Sequence, residues 1–383
     1  MKQIGIFFGS RSPEHDISII TAMRVIAGFR ELPQYQALPV YIAKDGRWFC
    51  DEALGTMEFF RDPEFAEKLA PYAIESFGFR DRTLLLFPAR RSFFGRRESY
   101  SMEMAFPCFH GSFGEDGTVQ GLFEMAGVPY IGCGVRASAI GMSKIHTRRI
   151  LRDAGIPSIA TRAVERQEFS ENPDAVVQEI AGASPFPLFV KPNGLGSSIA
   201  VAKVADEKQL RWALEVAFQF DTTALVEHSV PNIKEVNVAV LGHRDLTISQ
   251  TEEPRHSSAF QTFEEKYLIK GGTLMQSKGK QKSRIPADIP RELETTLKDA
   301  AGRAFRVMDA SGIARFDFLV DQESKKWYFG EANTIPGSLQ AHLWEASGIL
   351  FPQLLERLIA AAHERSEEEQ QLMRVFSSNV LQK

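Results

Sequence analysis

Two periods of apolar residues alternate along this chain. Residues 3–9, with Ile4-Gly-Ile-Phe-Phe8, form an apolar run of strand length. Ser12-Pro13 follows as an N-cap with proline at the first helical position, and Ile19, Ile20, Met23, Ile26 and Ala27 give the next segment a helical stripe. Leu38–Ile42 returns to a strand. Strand, glycine turn, helix, strand is the opening of an α/β sheet. Residues 50–104 are less regular, and Arg90, Arg91, Arg96 and Arg97 around Phe93-Phe94-Gly95 read as a solvated hairpin. Phe106–His110 is a buried strand end, followed by a loop to Thr118, a helix to Ala126 stopped by Gly127, and a strand at Val128–Ile131. A helix over 144–154 ends at Gly155-Ile-Pro157. Leu188–Lys191, Ile199–Ala202 and Ala224–Glu227 are predicted strands of a second unit. A third holds Val236–Leu241, a polar loop over 250–285, a helix over 290–308, two acidic strands after residue 312, and a helix over 349–363. From Glu364 the chain is polar, and a fraying tail is expected.

The length of 383 residues exceeds one ordinary core. The expected domains are 1–133, 134–229 and 230–365, with a polar tail at 366–383. Hydrophobic residues at 44% and charged residues at 25% are those of a water-soluble globular protein. A formal net charge of −4 excludes the basic stripe that nucleic-acid phosphates would demand. Cys50, Cys108 and Cys133 are odd in number and lack metal spacing, which fits a reduced, cytoplasmic setting. The N-terminal apolar run is too short for a signal sequence, and no run approaches a membrane span.

The chemistry concentrates in Arg315-Phe-Asp-Phe-Leu-Val and Gly330-Glu-Ala-Asn-Thr-Ile-Pro-Gly337. Period-2 alternation puts Arg315 and Asp317 on one face of the first strand and Glu331 and Asn333 on one face of the second. If the strands pair, three oxygen donors converge beside one arginine. Hard oxygen ligands without a soft partner suit Mg²⁺. Phe316, Phe318, Val320, Tyr328 and Phe329 cover the strands, so these charges need partners or a metal. The loop Gly194-Leu-Gly-Ser-Ser198 follows Lys191, which would supply a point charge to phosphates under its N–H groups. It is neither a Walker loop nor a dinucleotide fingerprint, because no helix follows it. Ala224-Leu-Val-Glu227-His-Ser-Val230 leaves a strand into a linker, where Glu227 and the Val230 backbone suit an adenine and Glu235 suits ribose hydroxyls.

Together these segments resemble the D-alanine–D-alanine ligases of the ATP-grasp superfamily. The matching residues are Phe8-Gly-Ser-Arg-Ser-Pro-Glu14-His-Asp-Ile-Ser18, His110-Gly-Ser-Phe-Gly-Glu-Asp-Gly-Thr-Val-Gln-Gly121, Gly141-Met-Ser-Lys144, Lys191 to Ser198, Glu264-Glu-Lys266-Tyr267, and Arg315 to Gly337. They occur in the family's order from about residue 3 to 363. The resemblance implies a three-domain α/β (α+β) ATP-grasp fold with the active site at the domain junction. It implies that ATP and two Mg²⁺, or Mn²⁺ in their place, serve the joining of two D-alanines through an acyl phosphate, with release of ADP and phosphate, in peptidoglycan precursor synthesis. Lys144, Lys191, Gly196, Ser197 and Ser198 would contact phosphates, and Glu227, Val230 and Glu235 the adenosine. Asp317, Glu331 and Asn333 would hold the metals. Glu14, linked to Ser197 and Tyr267, would take the first ammonium, and His110 would lie at the first substrate. Lys266 would lie near the transferred phosphoryl group. Arg315 and the Gly337 N–H would stabilise an oxyanion, under a lid formed by the 250–285 loop. Ser338 and His342 would meet the second substrate, and a homodimer is expected.

Two departures touch the second substrate. The family often has a longer run after its Asn-Thr-x-Pro-Gly segment, and a lid tyrosine is replaced here by Gln261 or Phe263. A related ligase with another amine or hydroxy acid as acceptor therefore remains an alternative, as does a nucleotide-binding homologue without catalysis. An oxidoreductase is disfavoured because no Gly-x-Gly-x-x-Gly follows the first strand.

Overall fold

A computed structural model of the chain describes residues 2–89, 99–196, 199–254 and 283–373. The expected arginine hairpin near 90–97, Ser197, Ser198, most of the 250–285 loop with Lys266 and Tyr267, and residues 374–383 lie outside the described residues.

The first sheet has the order β3-β2-β1-β7, from β1 (Lys2–Gly9), β2 (Tyr35–Ile42), β3 (Trp48–Cys50) and β7 (Met104–Pro107). β1 runs parallel to both β2 and β7, with the helix His15–Phe29 as the crossover. That helix begins later than the Ser12-Pro13 signal implies. Ser12 caps a preceding turn, its Oγ accepting from the Glu14 N–H at 3.1 Å. Gly9 closes the strand at φ 95°, where a Cβ would lie 2.2 Å from the Ile42 carbonyl oxygen, and Ser10 N–H then donates to that oxygen at 2.7 Å. Residues 50–104 are more regular than expected, since β4 (Ile74–Arg80), β5 (Thr83–Pro88) and β6 (Tyr100–Met102) form an antiparallel sheet of their own. Val128–Ile131 is not a strand. Tyr130 makes only a single bridge to Ala105.

The second sheet is antiparallel, in the order β10-β9-β11-β8, from β8 (Thr161–Glu165), β9 (Leu188–Pro192), β10 (Ala202–Val204) and β11 (Thr223–His228). The strand expected over Ile199–Ala202 starts only at Ala202. Ala200 takes φ 55° in a turn, which interrupts extended backbone.

The third sheet, β13-β12-β14-β15, is also antiparallel, from β12 (Ile233–Gly242), β13 (Leu246–Glu252), β14 (Gly312–Asp321) and β15 (Trp327–Asn333). Val236, Val238, Val240, Phe316, Phe318 and Val320 pack one face against Leu297, Ala300, Ala301, Ala304 and Phe305 of the helix Arg291–Val307. The register of β15 shifts at Gly330, so that Phe318 opposes Phe329 but Asp317 opposes Glu331. This bulge moves Glu331 and Asn333 to the face opposite Phe329, while Ala332 joins Phe329 in the core. A Cβ at Gly330 would lie 2.9 Å from the Asp317 carbonyl oxygen, which explains glycine at the bulge.

The last helix, Phe351–Gln370, runs seven residues past its expected end. Leu354, Leu355, Leu358 and Ile359 join Ile4, Ile6 and Phe8 in one core, so the two ends of the chain pack together. The polar stretch after Glu364 is helical as far as Gln370. Arg365 donates to the Gly132 and Tyr130 carbonyls at 2.5 and 2.7 Å, and its guanidinium lies 4.1 Å from the Tyr130 ring centroid. No helix among the described residues is long and apolar enough to cross a membrane. Arg365→Ala strands two carbonyls and is expected to cost about 2 to 4 kcal/mol. An unchanged denaturation midpoint would contradict this anchor.

Candidate active site

Pairing in the third sheet aligns four polar residues on one rung. Glu252 opposes Asn237, Asn237 opposes Asp317, and Asp317 opposes Glu331. On the neighbouring rung Arg315 opposes Asn333. Arg315 Nε and Nη2 both donate to the Asp317 carboxylate at 2.6 Å, a bidentate pair, and Asn333 Nδ2 donates to Asp317 Oδ2 at 3.1 Å. With its amide oriented to match its neighbours, Asn237 donates to Asp317 Oδ1 and Glu235 Oε1, both at 3.1 Å. Burial pushes Asp317 up to about 7 against the pull of Arg315. Burial also opposes the charge on Glu331, but Lys144, Arg315 and Lys191 hold that carboxyl below its usual range.

Two lysines reach this face. Lys144 starts the helix Lys144–Asp153, and its Nζ donates to the Leu195 carbonyl and lies 3.6 Å from Glu331 Oε2. Lys191 on β9 lies 2.8 Å from Glu227 Oε2, and Arg148 donates to the other oxygen of the same carboxylate. Burial disfavours the charges of both Lys191 and Glu227. It prevails at Lys191, which is lowered, whereas Lys191 and Arg148 keep Glu227 ionised. The Glu227 carboxylate is thus engaged by protein cations, and the half-buried Val230 and Glu235 follow beyond the strand end.

The glycine loop meets the first domain at Glu14. A Cβ on Gly196 would lie 3.3 Å from both Glu14 carboxylate oxygens, and one on Gly111 would lie 3.0 Å from Oε2. His110 shares the Thr21 hydroxyl, 2.8 Å from its Nε2, with the Ser338 N–H at 3.2 Å. Burial lowers His110 to about 4, and Arg315 adds to the effect. Gly337 is exposed, and Ser338, Leu339 and Gln340 all adopt positive φ of 48 to 54°. His342 Nε2 then lies 2.7 Å from Glu252 Oε1.

Glu14, His110, Lys144, Lys191, Gly196, Glu227, Arg315, Asp317, Glu331, Asn333 and Ser338 therefore belong to one connected polar region, with His342 at its edge. Sequence reasoning missed four members. Asn237, like the anticipated Glu235, is polar at an alternating position of an apolar strand, the same signal that exposes Arg315 and Asp317. Glu115, in the loop after His110, accepts from Gly111 N–H at 3.2 Å and Ile335 N–H at 3.1 Å and ties the first domain to the turn after Asn333. Burial raises its carboxyl to about 7. Arg148 and Glu252 carry no local signal, since their roles come from tertiary pairing.

The family models described as "D-ala D-ala ligase N-terminus" and "D-ala D-ala ligase C-terminus" match residues 3–133 and 150–360. The chain belongs to the D-alanine–D-alanine ligase family. It is 34% identical over 374 residues to the D-alanine–D-alanine ligase of Caldicellulosiruptor bescii, covering 97% of both chains. It is 36% identical over 368 residues to the ligase of Thermosipho melanesiensis, covering 96% of this chain and 95% of that one. Among solved structures, the D-alanine–D-alanine ligase of Coxiella burnetii superposes with a TM-score of 0.78 at 29% identity, covering 97% of both chains. VanG, a D-Ala:D-Ser ligase of Enterococcus faecalis, gives 0.75 at 30% identity, covering 94% of this chain and 99% of that one. The fold is accordingly the ATP-grasp fold. Within the family match, Glu14 and His110 fall in the N-terminal part and the rung in the C-terminal part, while Lys144 lies between the two matches.

The buried His110 gives a pH signature. The unfolded chain takes up this proton near pH 6.5, whereas the folded chain resists until about 4. Stability from this group is present above 6.5 and is lost as pH falls toward 4, by about 3 kcal/mol in all. His110→Gln is expected to lose less stability than the wild type over that window. Parallel stability profiles would contradict a buried neutral imidazole.

Proposed function

We propose that this chain is an ATP-dependent ligase that joins two D-alanines through an acyl phosphate, releasing ADP and phosphate, in peptidoglycan precursor synthesis. The observation that carries the reading is the rung Asn237–Asp317–Glu331, flanked by Arg315, Asn333, Lys144 and Lys191, on a chain of this family.

A carboxylate is a poor acyl donor because its leaving group would be oxide. Moving the γ-phosphoryl group of ATP onto one carboxylate oxygen creates a leaving group that departs readily. Asp317 and Glu331 are cross-strand neighbours, Asn333 adds an amide oxygen, and no sulfur or imidazole intervenes. This donor set fits two Mg²⁺, although among the described residues no cluster of three His, Cys, Asp or Glu could hold a metal. Bound there, Mg²⁺ would neutralise charge on the phosphoryl oxygens. Lys144 and Lys191 supply positive charge beside the same face, with Gly194–Ser198 over the phosphates. Glu227 positions Lys191 and, with Val230 and Glu235, receives the adenosine. Glu14 and His110 receive the first D-alanine, Ser197 and Tyr267 complete that side, and Lys266 lies near the transferred phosphoryl group, on sequence grounds. Arg315 spends Nε and Nη2 on Asp317, which leaves Nη1 with no hydrogen-bond partner among the described residues. That group and the Gly337 N–H stabilise the oxyanion that forms when the second amine attacks. The proposal extends to a cytoplasmic homodimer with domains at 1–133, 134–229 and 230–365.

One observation favours a second reading for the acceptor alone. The backbone after Gly337 is a tight left-handed turn of three non-glycine residues, Ser338, Leu339 and Gln340, and it leads to His342. A different second amino acid, as the name of VanG indicates for that protein, would be accommodated there.

Incubation with ATP, Mg²⁺ and D-alanine should give a product with the mass of the dipeptide and one ADP per bond. ADP release without a ligated product would sink the reading, and another acceptor giving more product would select the second one. Glu331→Gln should lower turnover by roughly 100-fold or more, equivalent to about 2.7 kcal/mol in the barrier, with the melting temperature retained. Near-normal turnover at saturating Mg²⁺ would remove Glu331 from the metal set.

A further inference from the structure

The reaction above needs one group that the first-substrate side does not supply. The acceptor enters as an ammonium and must lose a proton before its nitrogen can attack. At the far end of the rung, Glu252 is the last residue of β13, with its side chain only 5% exposed. Burial opposes its charge, yet hydrogen bonds from His342 and the Ser283 hydroxyl outweigh burial and hold it ionised, with Arg315 adding to the effect. An ionised carboxylate can only accept. The 2.7 Å contact therefore fixes His342 Nε2 as an N–H, so that Nδ1 is the ring nitrogen left to take up a proton. Nδ1 has no partner among the described residues, and the His342 side chain is 52% exposed. The ring follows Gly337 by five residues, directly after the left-handed turn.

We propose that His342 is the base for the second amino acid and that Glu252 is its positioning residue. The inference rests on the ligase reading above. His342 Nδ1 takes one proton from the acceptor ammonium, leaving a neutral amine. The amine nitrogen bonds to the acyl carbon, and the carbon–oxygen bond to phosphate breaks with its electron pair going to the phosphate oxygen. The second proton lost by that nitrogen leaves on the phosphate. Glu252 stabilises the imidazolium that forms, because its negative charge is already in place at Nε2.

The test uses the full chain with ATP, Mg²⁺ and D-alanine, with hydroxylamine as a competing acceptor that is already neutral at pH 7. Hydroxylamine traps the acyl phosphate as a hydroxamate without a base. The dipeptide-to-hydroxamate ratio should fall roughly 100-fold in His342→Gln and roughly 10-fold in Glu252→Gln. Added imidazole should restore the dipeptide in His342→Ala and leave the hydroxamate unaffected. An unchanged ratio in His342→Gln, or dipeptide and hydroxamate falling together, would overturn the base assignment while the ligase reading stands. A wild-type protein that makes neither product would overturn both.

Discussion

The site depends on placing several buried charges side by side on one face of a sheet whose other face is apolar. Each such charge costs several kcal/mol unless it is paired or hydrogen-bonded. Asp317 meets that demand through a bidentate arginine and two amides. The arrangement requires Glu331 and Asn333 to share the face of Asp317, and an unbroken β15 would put them with Phe329. The bulge at Gly330 resolves the conflict, at a position where a side chain would meet the Asp317 backbone. A single glycine thereby lets one strand fill a core with Phe329 and Ala332 and also present an oxygen-rich edge.

The remaining parts of the site are tied to that face through shared groups. Arg148 donates to Glu227 and also to the Gly330 carbonyl at 3.3 Å, so the same side chain reaches the second sheet and the bulge. Glu227 in turn holds Lys191. Glu115 joins the loop after His110 to Ile335, and Thr21 joins His110 to Ser338. The donor side and the phosphate side are therefore linked by hydrogen bonds through the carboxylates of Glu227 and Glu115 and the hydroxyl of Thr21.

Much of this was legible in sequence because period-2 alternation and glycine placement are local signals. Arg315, Asp317, Glu331 and Asn333 emerged together, but on an unbroken-strand argument, and they converge only because the bulge resets the parity. Helices with clear stops were placed well, as at Ala126 before Gly127, whose φ is 67°. The missed end of the last helix has a tertiary cause, since Arg365 finds carbonyls of residues 130 and 132 more than two hundred positions away. Ile199–Ala202 failed as a strand because a turn at Ala200 overrides an apolar run. Glu252 and Arg148 were unreadable for the same reason as Arg365, because their partners are distant in sequence.

The central claim is that a carboxylate oxygen of the first amino acid becomes part of the released phosphate. D-alanine labelled with oxygen-18 in its carboxyl group tests this directly when it is incubated with ATP and Mg²⁺ and the inorganic phosphate is analysed by mass. Acyl-phosphate chemistry predicts one labelled oxygen in each phosphate released with a peptide bond. Unlabelled phosphate accompanying peptide formation would contradict it.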